Sequence, residues 1–204
     1  MDKDNKGKQE TREAIMKKAV MPQKVNTISE AEAVVKKLIE TKKVFTNAAT
    51  NISAIISKRS IGKMGSEKAT KKSVNPIVHA QTVANIDHLF ENAPIHITHK
   101  DKRNDPNIKQ IHRFGTVMEY EGTYYPVKIT VKEFAVRNEA SKIYSIEVVD
   151  IEETKKAVGA APHPDEQGQD AQPTALNNEL TNLLRLVKPD TLLSATSAKM
   201  SRPF

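Results

Sequence analysis

The sequence contains no cysteine among its 204 residues. A chain without cysteine forms no disulfide framework and offers no thiolate nucleophile, which suits the reducing interior of a cell. Aromatic residues make up 4% of the chain and apolar residues 38%, which are low values for a protein that is folded throughout. We therefore expect one ordinary domain with solvated arms.

Several kinds of functional segment are also missing. No apolar run approaches the roughly 18 residues of a membrane span, and residues 1–6 lead into no apolar signal region. The sequence has no Walker-type Gly-Lys-Ser/Thr loop, no Gly-x-Ser-x-Gly elbow and no carboxylate pair typical of a magnesium nuclease. His96 and His99 lack the cysteine or carboxylate partners of a zinc site. We expect a soluble, cytoplasmic protein without membrane contact, metal or cofactor.

Positive charge is concentrated in one segment of a chain whose net charge is +7. Residues 57–73 contain one anion, Glu67, and six cations: Lys58, Arg59, Lys63, Lys68, Lys71 and Lys72. Such a cluster attracts nucleic acid, because each phosphate that it neutralises releases condensed counterions. A solvated surface that keeps the protein soluble is the other interpretation, and the cluster alone does not separate the two.

The first half of the chain reads as helical. Residues 1–28 are polar and charged, so we expect a flexible basic arm with at most a frayed helix. A capping box at Ser29 and Glu32 predicts a helix to about Lys42. Short β-prone runs follow at residues 44–45 and 52–56, and Asn75-Pro76 then predicts a second helix that reaches Ala93-Pro94.

The period of the apolar residues then changes from helical to two. After a charged loop at 95–106, strands are expected near 111–120, 123–134 and 143–151, with a turn at Glu121-Gly122. The predicted fold class is therefore α+β, with N-terminal helices packed on a C-terminal antiparallel β-meander and flexible N- and C-terminal arms. The predicted domain spans residues 29–152. Residues 153–204 form a linker, richest in turn-formers at 158–174, and a tail with one short amphipathic helix at Leu176–Val187.

Two strands carry residues that suit phosphate chemistry. Alternation along 125–133 places Lys128, Thr130 and Lys132 on one face of a strand, where they could bind and polarise a phosphate. An ordinary solvent-facing sheet surface explains the row as well, and the strand alone favours that reading.

His112 and Arg113 begin the preceding strand, where an imidazole could transfer a proton while a cation stabilises charge. A half-buried structural histidine is the alternative for His112. His79 lies one turn into the second helix, where a structural role is the simpler interpretation.

A set of short motifs in fixed order carries a family resemblance. These motifs occupy residues 44–48, 57–64, 79–80, 85–90, 99–101, 105–109, 111–114, 127–133 and 144–147. Together they resemble a domain of large polyvalent proteins of phages and mobile elements, which is grouped with the barnase, EndoU, colicin and RelE-like ribonuclease fold. The resemblance covers roughly residues 44–151, over half of the chain.

The resemblance implies metal-independent RNA cleavage, as in a phage-encoded or polymorphic toxin effector delivered with a phage particle or acting in the host cell. It implies His112 as base or acid, His79 as its partner, and Arg113, Lys128, Thr130 and Lys132 as phosphate ligands. Lys58, Arg59, Lys63, Lys71 and Lys72 would grip the RNA, and an immunity or antitoxin protein would be a second partner. A non-catalytic nucleic-acid-binding module and a protein-interaction module remain alternatives.

Overall fold

The computed structural model describes residues 2–136, 140–148 and 171–187. It confirms the α+β class, with seven helices and six strands in these ranges. The helices are α1 (Asp2–Ala19), α2 (Ile28–Glu40), α3 (Lys58–Met64), α4 (Glu67–Lys71), α5 (Pro76–Ala84), α6 (Ile86–Glu91) and α7 (Ala171–Val187). The strands are β1 (Phe45–Thr46), β2 (Ser53–Ile56), β3 (Ile95–His99), β4 (Ile108–Tyr120), β5 (Thr123–Phe134) and β6 (Lys142–Val148). No helix in the described ranges has the length and apolar character needed to cross a membrane.

The strands form one sheet in the order β1-β2-β6-β5-β4-β3. The predicted meander is confirmed as β4-β5-β6, and its first turn has positive φ angles at Glu121 (50°) and Gly122 (75°). A two-residue turn with positive φ at both positions has the same right-handed twist as the strands that it connects. The predicted loop at 95–106 is wrong in its first five residues, which form β3 antiparallel to β4. Charged neighbours hid the alternation of Ile95 and Ile97, whose side chains pack against α7.

One face of the sheet, here called the core face, carries the main hydrophobic core. Phe114 and Met118 of β4 and Val127, Ile129 and Val131 of β5 are buried there. They pack against α2, α5 and α6, and the ring of Phe90 meets Phe114 edge to face at 5.0 Å between centroids. Burial of this apolar area is the main stabilising contribution.

The capping box was predicted two residues too late. Thr27 caps α2, because its Oγ1 accepts a hydrogen bond from Glu30 N, while Glu30 Oε2 accepts one from Asn26 N. Both spacings satisfy the capping pattern. The earlier start brings Ile28 and Ala31 into the core, which the sequence pattern did not weigh.

Asn85 divides the predicted helix of residues 76–92 into α5 and α6 and anchors the segment before α2. Its side-chain amide donates to Gln23 O at 2.9 Å, and its Oδ1 accepts from Gln23 N at 2.8 Å. Met21 and Val25 beside this anchor are buried in the main core. Residues expected to form an arm thus pack on the domain, while the predicted domain bounds stay a prediction.

The second face of the sheet, here called the outer face, is partly covered by α7 and α1. The predicted amphipathic helix is confirmed as α7, and its buried side chains are Leu176, Leu180, Leu183 and Val187. They pack with Ile15, Met16 and Ala19 of α1 against Ile95, Ile97, Val117 and Tyr124 of the sheet. The end of the predicted third strand (149–151), most of the predicted linker (158–170) and the tail after 187 lie outside the described residues.

Asn47 joins the β1 edge of the fold to the end of α6. Its buried Nδ2 donates to Phe90 O at 2.7 Å and to Ala93 O at 2.9 Å. Its Oδ1 accepts from Ala49 N, Thr50 N and Thr50 Oγ1. One side chain therefore satisfies five polar groups, of which the carbonyls of Phe90 and Ala93 are buried.

We expect Asn47→Ala to lower the free energy of unfolding by roughly 2–4 kcal/mol, because it leaves the buried carbonyls of Phe90 and Ala93 without their hydrogen-bond donor. Urea unfolding followed by circular dichroism measures this change. Asn51→Gly is the matched control, since Asn51 lies in the same turn, is exposed and has a φ of 57° that glycine adopts freely. Equal stability of the two variants would contradict the role of Asn47.

Candidate nucleic-acid interface

The basic segment is placed beside β6 by the sheet topology. β2 pairs with only the first two residues of β6, Lys142 and Ile143. The chain then enters α3 at Ser57, whose hydroxyl and that of Ser60 form a reciprocal capping box. As a result α3 and α4, with their six cations, flank the part of β6 that β2 leaves uncovered.

A chain of hydrogen bonds fixes this segment to the sheet through Ser73 and His79. Ser73 Oγ accepts from Val148 N at 3.2 Å and lies 2.8 Å from His79 Nδ1, and His79 Nε2 lies 2.8 Å from Met64 O. A carbonyl can only accept, so His79 Nε2 carries a proton and donates to Met64 O. The fully buried imidazole of His79 thus connects β6, α5 and the end of α3.

Beside this junction lies a cationic cleft of about 450 Å³, between α3, α4 and the uncovered edge of β6. Its lining includes Lys63, Ser66, Lys68, Lys72, Arg103, Tyr144 and Ser145. Lys63 Nζ lies 3.7 Å from the centroid of the Tyr144 ring, and Lys132 Nζ lies 4.2 Å from it. One aromatic ring therefore holds two ammonium groups at the cleft through cation–π attraction. Tyr144 occupies the irregular position where the β5–β6 register shifts.

The charges of the cleft are not balanced by acids. Among the described residues, no carboxylate forms an ion pair with Lys63, Arg103 or Lys132. Burial, together with the charges of Arg59, Lys132 and Arg103, holds the pKa of Lys63 below its ordinary value. Each of these cations disfavours the charge of Lys63, and an anion in the cleft would relieve that repulsion.

The expected phosphate ligands of the meander lie on the outer face. Arg113 and Thr130 are paired across β4 and β5, and an Arg113 Nη1 group donates to Thr130 Oγ1. Lys132 of this row reaches the cleft through Tyr144, and Thr130 is paired with Ser145 in the cleft lining. Lys128 is half-buried two residues before Thr130 on β5, where it is paired with Gly115 of β4. The structure therefore brings this predicted set to one face of the sheet, and Lys132 is its member that reaches the cleft.

His112 lies on the core face, separated by the sheet from the residues that were expected to hold the phosphate. Consecutive residues of a strand point to opposite faces, so Arg113 and His112 cannot share one. The buried His112 ring stacks with His96 at 5.3 Å between centroids. His79 makes its contacts with Ser73 and Met64. The structure brings neither histidine to the cleft, and their catalytic roles stay predictions.

His112 instead belongs to a chain of titratable groups. Its Nε2 lies 3.2 Å from Glu133 Oε2, its Nδ1 lies 3.1 Å from His96 Nε2, and Lys109 Nζ lies 2.7 Å from Glu133 Oε1. The hydrogen bond from Lys109 lowers the pKa of Glu133, and that of His112 adds to the effect against the opposing influence of burial. Burial and the neighbouring His112 lower the pKa of His96.

When His112 is neutral, these contacts fix the proton positions. The Glu133 carboxylate then accepts from His112 Nε2–H, His112 Nδ1 accepts from His96 Nε2–H, and the lone pair of a neutral His96 lies on Nδ1. The arrangement can pass a proton from His96 towards Glu133. No group of three His, Asp or Glu side chains suited to a metal occurs in the ranges that the structure describes.

The remaining cations of the basic segment differ in position. Lys72 lines the cleft, and Arg59 is exposed but close enough to affect Lys63. Lys71 forms an ion pair with Glu67 at 2.6 Å, and Lys58 is exposed at the first turn of α3. The cleft thus takes Lys63, Lys68 and Lys72 from this segment.

Several residues of these sites were not predicted, among them Arg103, Tyr144, His96 and Glu133. Arg103 and Tyr144 come from a loop and an irregular strand position, and no local pattern marks either of them. His96 and Glu133 could have been found from strand alternation, because both share the face of His112 once β3 is recognised as a strand.

Comparison with known proteins assigns the chain to a family. The family model described as large polyvalent protein-associated domain 3 matches residues 23–144, more than half of the chain. The chain belongs to this family. No curated protein and no solved structure gives a significant match. The family match confirms the resemblance to a domain of large polyvalent proteins. The grouping with the ribonuclease fold stays a prediction.

The electrostatic environment of Lys63 gives a direct test of the cleft. We expect Lys132→Gln to raise the pKa of Lys63 towards its ordinary value, because a cation near the same ring is removed. NMR titration of lysine side-chain carbons measures the pKa. Lys142→Gln is the matched control, since Lys142 lies over the ring of Phe134. An unchanged Lys63 pKa in Lys132→Gln would contradict the described geometry.

Proposed function

We propose that this domain binds RNA through its sugar–phosphate backbone, with one phosphate in the cationic cleft. The observation that carries the proposal is the convergence of Lys63 and Lys132 on Tyr144, with Arg103 in the same cleft and without an ion-pairing acid in the described residues. Like charges held close together repel each other unless an anion joins them. A phosphate accepts hydrogen bonds from all three cations and removes this repulsion.

The extent of the basic surface favours a polymer over a small anion. Lys68 and Lys72 line the same cleft as Lys63 and Arg103, so the cleft offers more cations than one phosphate requires. Arg113 and Thr130 continue the polar surface along the outer face. A chain of phosphates uses such a row, and each neutralised charge adds counterion release to the affinity.

The hydroxyl groups at the cleft favour RNA over DNA. Ser66 Oγ donates to Lys63 O at 2.8 Å and accepts from Ala69 N at 3.2 Å, so its position is fixed. Ser145 lines the opposite wall on β6. Side-chain hydroxyls in the same lining as the cations can hydrogen-bond a ribose 2′-hydroxyl, which is the group that distinguishes the two nucleic acids.

We expect replacement of Lys63, Arg103 and Lys132 by Gln to weaken the binding of a single-stranded RNA oligonucleotide about tenfold or more at moderate salt. The slope of log K against log salt should become less steep by about 2, since three phosphate contacts contribute about 0.7 each on a single strand. Fluorescence anisotropy over a range of salt concentrations gives both values.

The matched control replaces Lys24, Lys36 and Lys37 by Gln, which removes the same charge from exposed positions before and within α2. This control should keep the steep slope and most of the affinity. Equal losses in the two triple variants would show that net charge alone governs binding. A DNA strand of the same sequence tests the preference for ribose.

Metal-independent RNA cleavage is the second candidate function, and the chain Glu133–His112–His96 favours it. In this reaction a base removes the 2′-hydroxyl proton, the oxygen attacks the adjacent phosphorus, and the bond to the 5′-oxygen breaks as an acid protonates it. The products carry a 2′,3′-cyclic phosphate and a 5′-hydroxyl. His96 Nδ1 is the acceptor that the proton positions leave available. Lys132 and Glu133 are neighbours near the C-terminal end of β5 and point to opposite faces of the sheet. An RNA chain that passes around this end of β5 would reach both side chains.

If the domain cleaves RNA in the presence of EDTA, His96→Asn should lower the rate by about 10²-fold or more while RNA affinity stays the same, because a proton acceptor acts in the transition state. Mass spectrometry of the product ends and anisotropy measure the two quantities. His88→Asn is the control, since His88 Nε2 contacts Lys18 O on α1. Full activity of a folded His96→Asn variant would remove this residue from the mechanism, and an inhibitory partner would be expected only for a cleaving domain.

A further inference from the structure

The outer face contains an apolar strip whose covering helices come from outside the family domain. The strip, here called the helix receptor, consists of Ile95, Ile97, Gly115, Val117 and Tyr124. It lies within the matched residues 23–144, whereas α1 and α7 both lie outside them. The domain that the family shares therefore carries an apolar surface that its own matched elements do not cover.

The receptor is complementary to the apolar side of an amphipathic helix. Leu176, Leu180, Leu183 and Val187 are spaced by four, three and four residues, which aligns them on one side of α7. Gly115 makes room for this helix, because a Cβ there would lie 3.0 Å from Leu180 Cδ2 and 3.2 Å from Ile95 Cβ. The Leu180 side chain of α7 thus packs where Gly115 of β4 has no side chain.

The connection between β6 and α7 is long enough for α7 to bind either its own chain or a second chain. Residues 149–170 separate β6 from α7, and 22 residues span at most about 75 Å when fully extended. Such a connection is long enough for α7 to occupy the receptor of its own chain or of a neighbouring chain. Within one chain the helix is present at a high effective concentration, so its own receptor is filled first.

We propose that the helix receptor is a binding site for a separable amphipathic helix and that it also accepts the α7 of a second copy of this chain. The contacts are the same in both cases, so exchange requires only that the helix of the first copy be absent from its receptor. Exchange of an identical element is a low-cost route to a dimer. This proposal is independent of RNA binding, because the receptor shares no residue with the lining of the cationic cleft.

A pair of complementary full-length variants tests the proposal. The first carries Leu180→Asp and Leu183→Asp, which prevents α7 from binding and leaves the receptor intact. The second carries Gly115→Val, which fills the space of Leu180 and leaves α7 intact. Each variant alone should be a monomer in size-exclusion chromatography with light scattering. An equimolar mixture should form a species of twice the chain mass, in which the second variant supplies the helix and the first the receptor.

A labelled peptide of residues 171–187 provides the second measurement. It should bind the first variant at least tenfold more tightly than the wild-type chain, whose receptor is occupied, and a peptide with Leu180→Asp should not compete. Circular dichroism must show that the first variant keeps its folded β structure. Unfolding of that variant would show that α7 is an integral part of the core and would overturn the proposal. A folded variant that binds neither the peptide nor the second variant would overturn it as well.

Discussion

The hydrogen bonds through Ser73 and His79 are the contacts on which the cationic cleft depends. They satisfy a backbone amide of β6 and a carbonyl at the end of α3 with one hydroxyl and one buried imidazole. Because β2 ends beside Ile143, no described strand pairs beyond that point with the edge of β6 that faces away from β5. This junction therefore fixes the end of α3 and the segment after α4 at that edge, next to Tyr144. A histidine that the sequence offered as a catalytic partner therefore holds the binding surface in place.

The two faces of the sheet separate two kinds of chemistry. The outer face collects cations at one end and apolar residues at the other, where α7 covers Gly115 and Val117. The core face carries hydrophobic packing and, at its edge, the chain from His96 to Glu133. The row of expected phosphate ligands and the chain of titratable groups thus lie on opposite faces of β4 and β5. The proposed RNA binding at the cleft uses none of these titratable groups, whereas the proposed cleavage requires an RNA strand that reaches both faces.

Periodic patterns predicted the parts of the fold that depend on local sequence. The meander, its turn at Glu121-Gly122 and the leucine stripe of α7 follow from alternation, positive φ and helical spacing, and the structure confirms them. Where two local signals competed, tertiary packing decided between them, as in the capping of α2 by Thr27. β3 was missed because its apolar alternation is short and lies among charged residues.

The candidate site was less predictable than the fold. Strand alternation placed Lys128, Thr130 and Lys132 together, and the same rule separates His112 from Arg113, although adjacency in sequence suggested a shared site. The cleft itself joins α3, α4, the loop with Arg103 and an irregular position of β6. Such a junction depends on contacts between distant segments, which no single motif encodes.

Photochemical cross-linking tests the central claim most directly. A single-stranded RNA with photoreactive thiouridine is bound to the full-length chain and irradiated, and the cross-linked peptides are identified by mass spectrometry. The account predicts cross-links in peptides that contain Lys63, Arg103 or Tyr144, with loss of these products at high salt. Cross-links confined to α2, α5 and α6, none of which lines the cleft, would contradict an RNA-binding cleft beside β6.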